Sequence, residues 1–210
     1  FLNSLTDSGT SAAPITYSGG WDRTSMAVQD GETWIDGMSS NGRGFNINSM
    51  SYIRISNFGI VRAFHGIYAD GLHTEVSNFH TAGSERGLQT TTIGSRVVLL
   101  GCNFSNSSLS NIESGSAIMN IKLRRVTMNS SNLAHGFGTD ASYPAEVTGV
   151  DLVCKNNGLY GVNHMSSVPI RLSNLITANN LSGGVYSPNS DKTLLVNPLL
   201  SDGTAIGVNF

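Results

Sequence analysis

Apolar and polar residues alternate in short bursts along this chain, and the bursts recur. In YIRISNFGIV, Ile53 and Ile55 alternate with Arg54 and Ser56; in IRLSNLITAN, Ile170 and Leu172 alternate with Arg171 and Ser173. A period of two marks a strand with one buried face. TEVSNFHTAG, VVLLGCNFSN, IKLRRVTMNS, GVDLVCKNNG and TLLVNPLLSD carry the same apolar run followed by a polar kink. No segment sustains the 3.6-residue apolar period of a helix. The pattern predicts two or three short strands per repeat and scarcely any helix.

The repeat has a measurable length. Glycine followed by an apolar residue occurs at Gly44-Phe45, Gly66-Ile67, Gly87-Leu88, Gly136-Phe137, Gly161-Val162, Gly184-Val185 and Gly207-Val208, at intervals of 22, 21, 49, 25, 23 and 23. Asn111-Ile112 divides the long interval into 24 and 25, with Asn expected to replace Gly at a positive φ. Polar pairs precede the last four copies: Ser131-Asn132, Asn156-Asn157, Asn179-Asn180 and Asp202-Gly203. Asn, Asp and Gly tolerate left-handed backbone best, so these pairs predict a corner at the same point of every lap. Eight copies of 21 to 25 residues predict a parallel β-helix, a rod of roughly 38 Å at the usual strand spacing. A jelly roll or antiparallel sandwich is the competing all-β fold, but it requires no common lap-wide period.

Composition narrows the function classes. Charged residues make up 12%, about half the usual share, and 29 Ser, 21 Asn and 24 Gly take their place. A net charge of -2 with 12 Lys plus Arg gives no basic footprint for nucleic acid and no polybasic face for a membrane surface. No run of about 18 apolar residues suggests membrane insertion, and Phe1 opens no signal sequence. KLRR at 122–125 reads as a solvated strand face, with Leu123 inward between Lys122 and Arg124. Cys102 and Cys154 have no metal-ligand spacing. They fall two coils apart, about 9.6 Å, beyond the Cα separation of about 7 Å that a disulfide tolerates; two unbridged, buried thiols are expected.

SGTSAAPITYSGGWDRTSM running into GETWIDGMSSNGRGFNINSMSYIRISNFGIV, with the laps KNNGLYGV and ANNLSGGV, resembles the secreted right-handed parallel β-helix superfamily, the pectate-lyase-like group of polysaccharide lyases, related hydrolases and phage tailspikes. The resemblance covers nearly the whole chain but lies in scaffold motifs. It implies a single-stranded right-handed solenoid over 1–210, with an entry coil or irregular segment at 1–31 and regular coils over 32–210. It also implies an extracellular, cell-surface or virion location and a polysaccharide or surface glycan as partner. With FLNSLTDSGTSAAPI reading as the end of an earlier lap, without an amphipathic capping helix, and IGVNF ending in mid-lap, the chain is expected to be part of a longer protein, or of a homo-oligomer or end-to-end stack.

On such a rod a site is a column of residues at equal offsets in successive laps. The offset before the Gly-apolar pair carries His65, Arg86, Ser110, His135 and Tyr160. The offsets after it carry Tyr68, Gln89, Glu113, Asn163 and Tyr186, then His164, then Asp70 and Asp140. Aromatic faces with polar and charged neighbours suit sugars, and an ordinary outward polar face accounts for the same residues. The resemblance assigns a lyase base to Arg86, His135 or Tyr160, and to Asp70, Asp140 and Glu113 the binding of a Ca²⁺ that would neutralise the uronate. His65, Tyr68, Asp70, Asp140, His164 and Tyr186 would bind substrate. Glu85 and Glu113 are the carboxylate pair a hydrolase would need. Against catalysis stand the lack of a compact acidic cluster and of a Gly-His-Gly turn. Trp21 and Trp34 are expected to cap the first coil, and His73 and His80 to lie on loops without partners.

Overall fold

The computed structural model describes residues 5–20, 29, 31–38, 42–91, 96–115, 119–139, 145–189, 193–201 and 208–209. They contain strands and turns and no helix. Every pairing between these strands is parallel, and the chain winds through two sheets as a β-solenoid of about seven turns. The eight-stranded sheet stacks Arg43–Asn48, His65–Asp70, Arg86–Thr90, Ile112–Ser114, Phe137–Thr139, Tyr160–His164, Gly183–Tyr186 and Val208–Asn209 in that order. Its central register joins Phe45, Ile67, Leu88, Ile112, Phe137, Val162, Val185 and Val208. These are the apolar members of the eight predicted copies, and eight rungs delimit seven turns rather than eight coils.

The eleven-stranded sheet is built on longer strands, among them Ile53–Val61, His73–Ala82, Met119–Asn129, Ala145–Lys155 and Ile170–Ala178. Each shifts the phase of its alternation midway. Thr74 and Val76 point inward, then Phe79 and Thr81; the same three-residue step separates Val76 from Phe79, Leu123 from Val126 and Leu172 from Leu175. The residue inside the step is left-handed: Asn57, Asn78, Gly101, Arg125, Asp151, Asn174 and Asn197 all have positive φ. Asn78 Nδ2 donates to Asn57 Oδ1 at 3.2 Å and Asn174 Nδ2 to Asp151 Oδ1 at 2.8 Å, so the corner repeats as a ladder. This is the polar kink of the sequence.

A second left-handed ladder ends these strands at Arg62, Gly83, Asn106, Ser130, Asn156 and Asn179. The residues that follow, Ser84, Ser107, Ser131, Asn157 and Asn180, turn inward and are buried. Asn157 Nδ2 donates to Asn180 Oδ1 at 2.7 Å, and Asn111 Nδ2 to Asn157 Oδ1 at 3.2 Å. In each NN pair the first residue makes the corner and the second satisfies buried backbone.

Asn111 therefore corrects its expectation. It is fully buried for its hydrogen bonds and has no positive φ, and the described glycines at the equivalent positions have none either. Those glycines are required by close approach: a Cβ on Gly66, Gly87, Gly136 or Gly161 would sit 2.4 to 2.9 Å from the backbone oxygen of the next rung.

The core is a stack of one-sided columns, with Phe79, Phe104, Phe137, Ile53, Ile55, Ile60, Ile67 and Leu99 fully buried. Cys102 and Cys154 lie within it, unbridged and buried as expected. Burial pushes the Cys102 thiol up to about 12, which leaves it inert as a nucleophile. Leu123 is buried between exposed Lys122 and Arg124. His73 and His80 fall in the strand His73–Ala82, not on loops: His73 Nε2 is 3.1 Å from Glu75 and His80 Nδ1 is 3.4 Å from Glu32. Trp34 is 54% exposed, its ring lying over Gly59 and edge-on to His80 on the strand side and not across the first coil's end; Trp21 lies outside the described residues.

Candidate functional site

The eight-stranded sheet turns two outward columns to one face. One precedes the Gly-apolar pair and holds His65, Arg86, Ser110, His135 and Tyr160. The other follows it and, by register, holds Tyr68, Gln89, Glu113, Gly138, Asn163 and Tyr186. Between them side chains pair diagonally: Arg43, Arg86, His135 and Tyr160 each contact the second-column residue of the next rung.

Arg43 lies 3.9 Å over the Tyr68 ring. Arg86 Nε donates to Glu113 Oε2 at 2.8 Å, while its Nη1 donates to Glu85 Oε1 at 2.6 Å. His135 meets the Asn163 amide at 2.9 Å. Tyr160 stacks on Tyr186 with centroids 4.8 Å apart and 12° between planes, and also on His135 at 5.9 Å and 19°.

The diagonal is broken at one place, where Ser110 meets Gly138. Neither is long enough to close its cell. A groove of about 330 Å³ opens there, lined by Gln89, Thr91, Glu113, His135, Thr139 and Asn163 among others. A Cβ on Gly138 would stand 3.3 Å from His135 Cδ2 and 3.8 Å from Ser110 Oγ, so the missing side chain is what leaves the space.

His135 is held neutral. Burial pushes its pKa down to about 4. Its Nδ1 accepts the Tyr160 backbone N–H at 3.3 Å, so the ring proton sits on Nε2, facing the Asn163 amide. An Nε2–H requires an acceptor, so the network assigns Oδ1 of Asn163 to that position.

His65 is also held neutral, down to about 4, by burial and then by the charges of Arg86 and Arg43. It is only 2% exposed, packed against Phe64 and Tyr68, and Gln89 approaches it without closing a hydrogen bond of normal geometry. It supports the face from below.

The other predicted residues separate. Tyr68 and Asp70 lie toward the N-terminal end of the face, joined through Thr91, whose Oγ1 is 3.0 Å from Tyr68 Oη and donates to Asp70 at 3.0 Å. His164 is fully buried, with Nδ1 3.4 Å from Thr139 Oγ1 and Nε2 donating to the Val168 carbonyl at 2.8 Å. It lies two residues past inward Val162, and on a strand that parity puts it on the same inner face. The groove is closed to it. Asp140 lies outside the described residues. Among those residues no three His, Cys, Asp or Glu converge as metal ligands.

The buried neutral histidines make stability depend on pH. Their folded pKa values lie below the unfolded value near 6.5, so the unfolded chain binds protons first and stability falls as pH drops from about 6.5 towards 4. After allowance for solvent screening, each ring is expected to contribute on the order of 2 kcal/mol to that loss. Urea unfolding of the wild type and of His65→Phe across this window checks it: the variant should show the shallower slope, and parallel slopes would remove His65 from the account.

No family model, no curated protein and no solved structure matches this chain, so the parallel β-solenoid is the part of the pectate-lyase-like resemblance that the molecule itself carries.

Proposed function

We propose that this protein is an extracellular or surface-exposed β-solenoid that binds an uncharged oligosaccharide in the groove at Ser110 and Gly138. The observation that carries the proposal is the interruption of the diagonal pairing at that one cell. It leaves amide, hydroxyl and carboxylate groups from Gln89, Thr91, Glu113 and Asn163 around a cavity, and the Tyr160–Tyr186 stack lies next along the face. Polar groups that fix sugar hydroxyls beside aromatic rings are the usual means of holding a glycan.

The charge balance favours a neutral ligand. Glu113 is the one carboxylate among the described residues that line the groove, and Arg86, which could have attracted a uronate, is already shared by Glu113 and Glu85. The same facts favour binding over catalysis. Both nitrogens of His135 are engaged, so no basic lone pair is directed into the groove, and the two glutamates are tied to one guanidinium.

A panel of neutral and uronate oligosaccharides of equal length, titrated by calorimetry, tests this reading. Neutral members should bind, and Gly138→Val and Ser110→Gln, which fill the cell, should each weaken binding at least tenfold while leaving the melting temperature nearly unchanged. Silence across the panel, or binding indifferent to both substitutions, would sink it.

Assembly is the second reading. It is favoured by Leu194, Val196 and Leu199, which stand 43 to 61% exposed on the last described turn. Two of them line an apolar recess of about 170 Å³ with Arg171, Leu172 and Val150. Mass that rises with concentration in light scattering, and falls back in Leu194→Glu, would support it.

A further inference from the structure

A second cavity, of about 310 Å³, lies on the other sheet and shares no lining residue with the groove. Ser11, Pro14, Tyr52, Arg54, His73, Glu75 and Arg96 enclose it. Its wall is an aromatic pair: the Tyr52 and His73 rings stack at 5.5 Å with 15° between planes. Glu75 ties two neighbours, accepting from Arg54 Nε at 2.7 Å and lying 3.1 Å from His73 Nε2.

Arg96 is different. It pairs in register with His73 and is exposed, and among the described residues its guanidinium makes no ion pair or hydrogen bond. Arg54 and Arg96 against Glu75 leave the cavity one positive charge in excess.

Tyr52 points to the same place. Its φ is 57°, yet it belongs to neither left-handed ladder. A bulky side chain in that region is uncommon and strained. The conformation is fixed by the Ile15 N–H, which donates to the Tyr52 carbonyl at 3.0 Å, and it lays the phenol along His73 at the cavity wall.

We propose that this cavity binds a small ring-bearing monocarboxylate, its carboxylate on the Arg96 fork and its ring along the Tyr52–His73 wall. A planar guanidinium receives a carboxylate through two parallel hydrogen bonds, and the stacked rings offer a flat surface to either an aromatic or a pyranose ring. Glu75 disfavours a second negative charge, which sets monocarboxylates above sulfate or phosphate. The cavity matches the lower end of small-molecule sites, about 300 Å³. The inference is independent of the glycan groove.

Titration of the full chain with benzoate and with glucuronate, following the Arg96 side-chain N–H and His73 ring resonances, is the test. At least one of the two should perturb both signals at a concentration tenfold or more below that needed for acetate, sulfate, glucose or benzyl alcohol. Arg96→Gln should weaken that binding tenfold or more, Arg96→Lys should recover only part of it, and Gly138→Val, which fills the other groove, should leave it unchanged. Equal response to sulfate or to the neutral counterparts, no response to either carboxylate, or insensitivity to Arg96→Gln in a normally folded protein would each overturn the assignment.

Discussion

Asn157→Ala is expected to destabilise the protein by on the order of 4 kcal/mol, more than most single substitutions cost. Asn157 is 2% exposed and its amide is used on every side. Its oxygen accepts from Ser131 N–H at 3.1 Å and from Asn111 Nδ2 at 3.2 Å; its nitrogen donates to the Met128 carbonyl at 3.3 Å and to Asn180 Oδ1 at 2.7 Å. Alanine leaves these groups buried without those partners, and each such group costs about 1 to 3 kcal/mol, part of which local relaxation recovers. Asn157→Asp keeps the acceptor but turns a buried carboxylate oxygen towards the Met128 carbonyl and Asn180 Oδ1, so at neutral pH it should cost at least as much as alanine. Urea unfolding measures the loss, and faster hydrogen exchange at Ser131 should accompany it. A cost below about 1 kcal/mol would mean that the ladder is decoration.

Gly87→Ala is the second large effect, expected near 3 kcal/mol. The added methyl group would stand 2.4 Å from the Asn111 carbonyl oxygen and 2.5 Å from Phe104 Cδ1. That carbonyl cannot retreat freely, because it accepts the Leu88 N–H at 2.9 Å and so holds one rung to the next. Gly83→Ala is the matched comparison. Nothing lies within 4 Å of its Cβ position, but its φ is +65°, so only the backbone penalty of about 1 to 2 kcal/mol applies. Thermal unfolding of the two variants separates crowding from conformation, and a Gly83 variant as damaged as the Gly87 variant would refute the distinction.

The fold was legible because a solenoid repeats its constraints in the same order on every lap. The Gly-apolar pairs mark all eight rungs of one sheet, including Asn111-Ile112, where the letter changes but the register does not. What the glycine is for was not legible, since positive φ and close approach leave the same residue in a sequence. The site was half legible. Glu113 and His135 line the groove and Tyr160 and Tyr186 stand beside it, as equal offsets suggested.

The groove itself is made by what is missing at Ser110 and Gly138, and small residues carry no signal of their own. It depends on pairing between neighbouring rungs of two columns, which an offset count treats as separate. His164 shares a lap offset near the groove residues but not their face, because the two-residue parity of the strand sets it inward with Val162. The Arg96 cavity was missed because Tyr52, His73 and Arg96 stand near different turns and meet only through sheet register.

The diagonal pairing makes the face a row of cells, each spelled by two residues 24 to 28 positions apart, from Arg43 with Tyr68 to Tyr160 with Tyr186. Apart from buried His65 and Ser110, these side chains face away from the core columns, so the surface text can be edited without rewriting the scaffold. A serine and a glycine written into the His135–Asn163 cell would extend the opening by one rung, and a long pair written into the Ser110–Gly138 cell would erase it. In that sense the rod is a ruler with interchangeable marks.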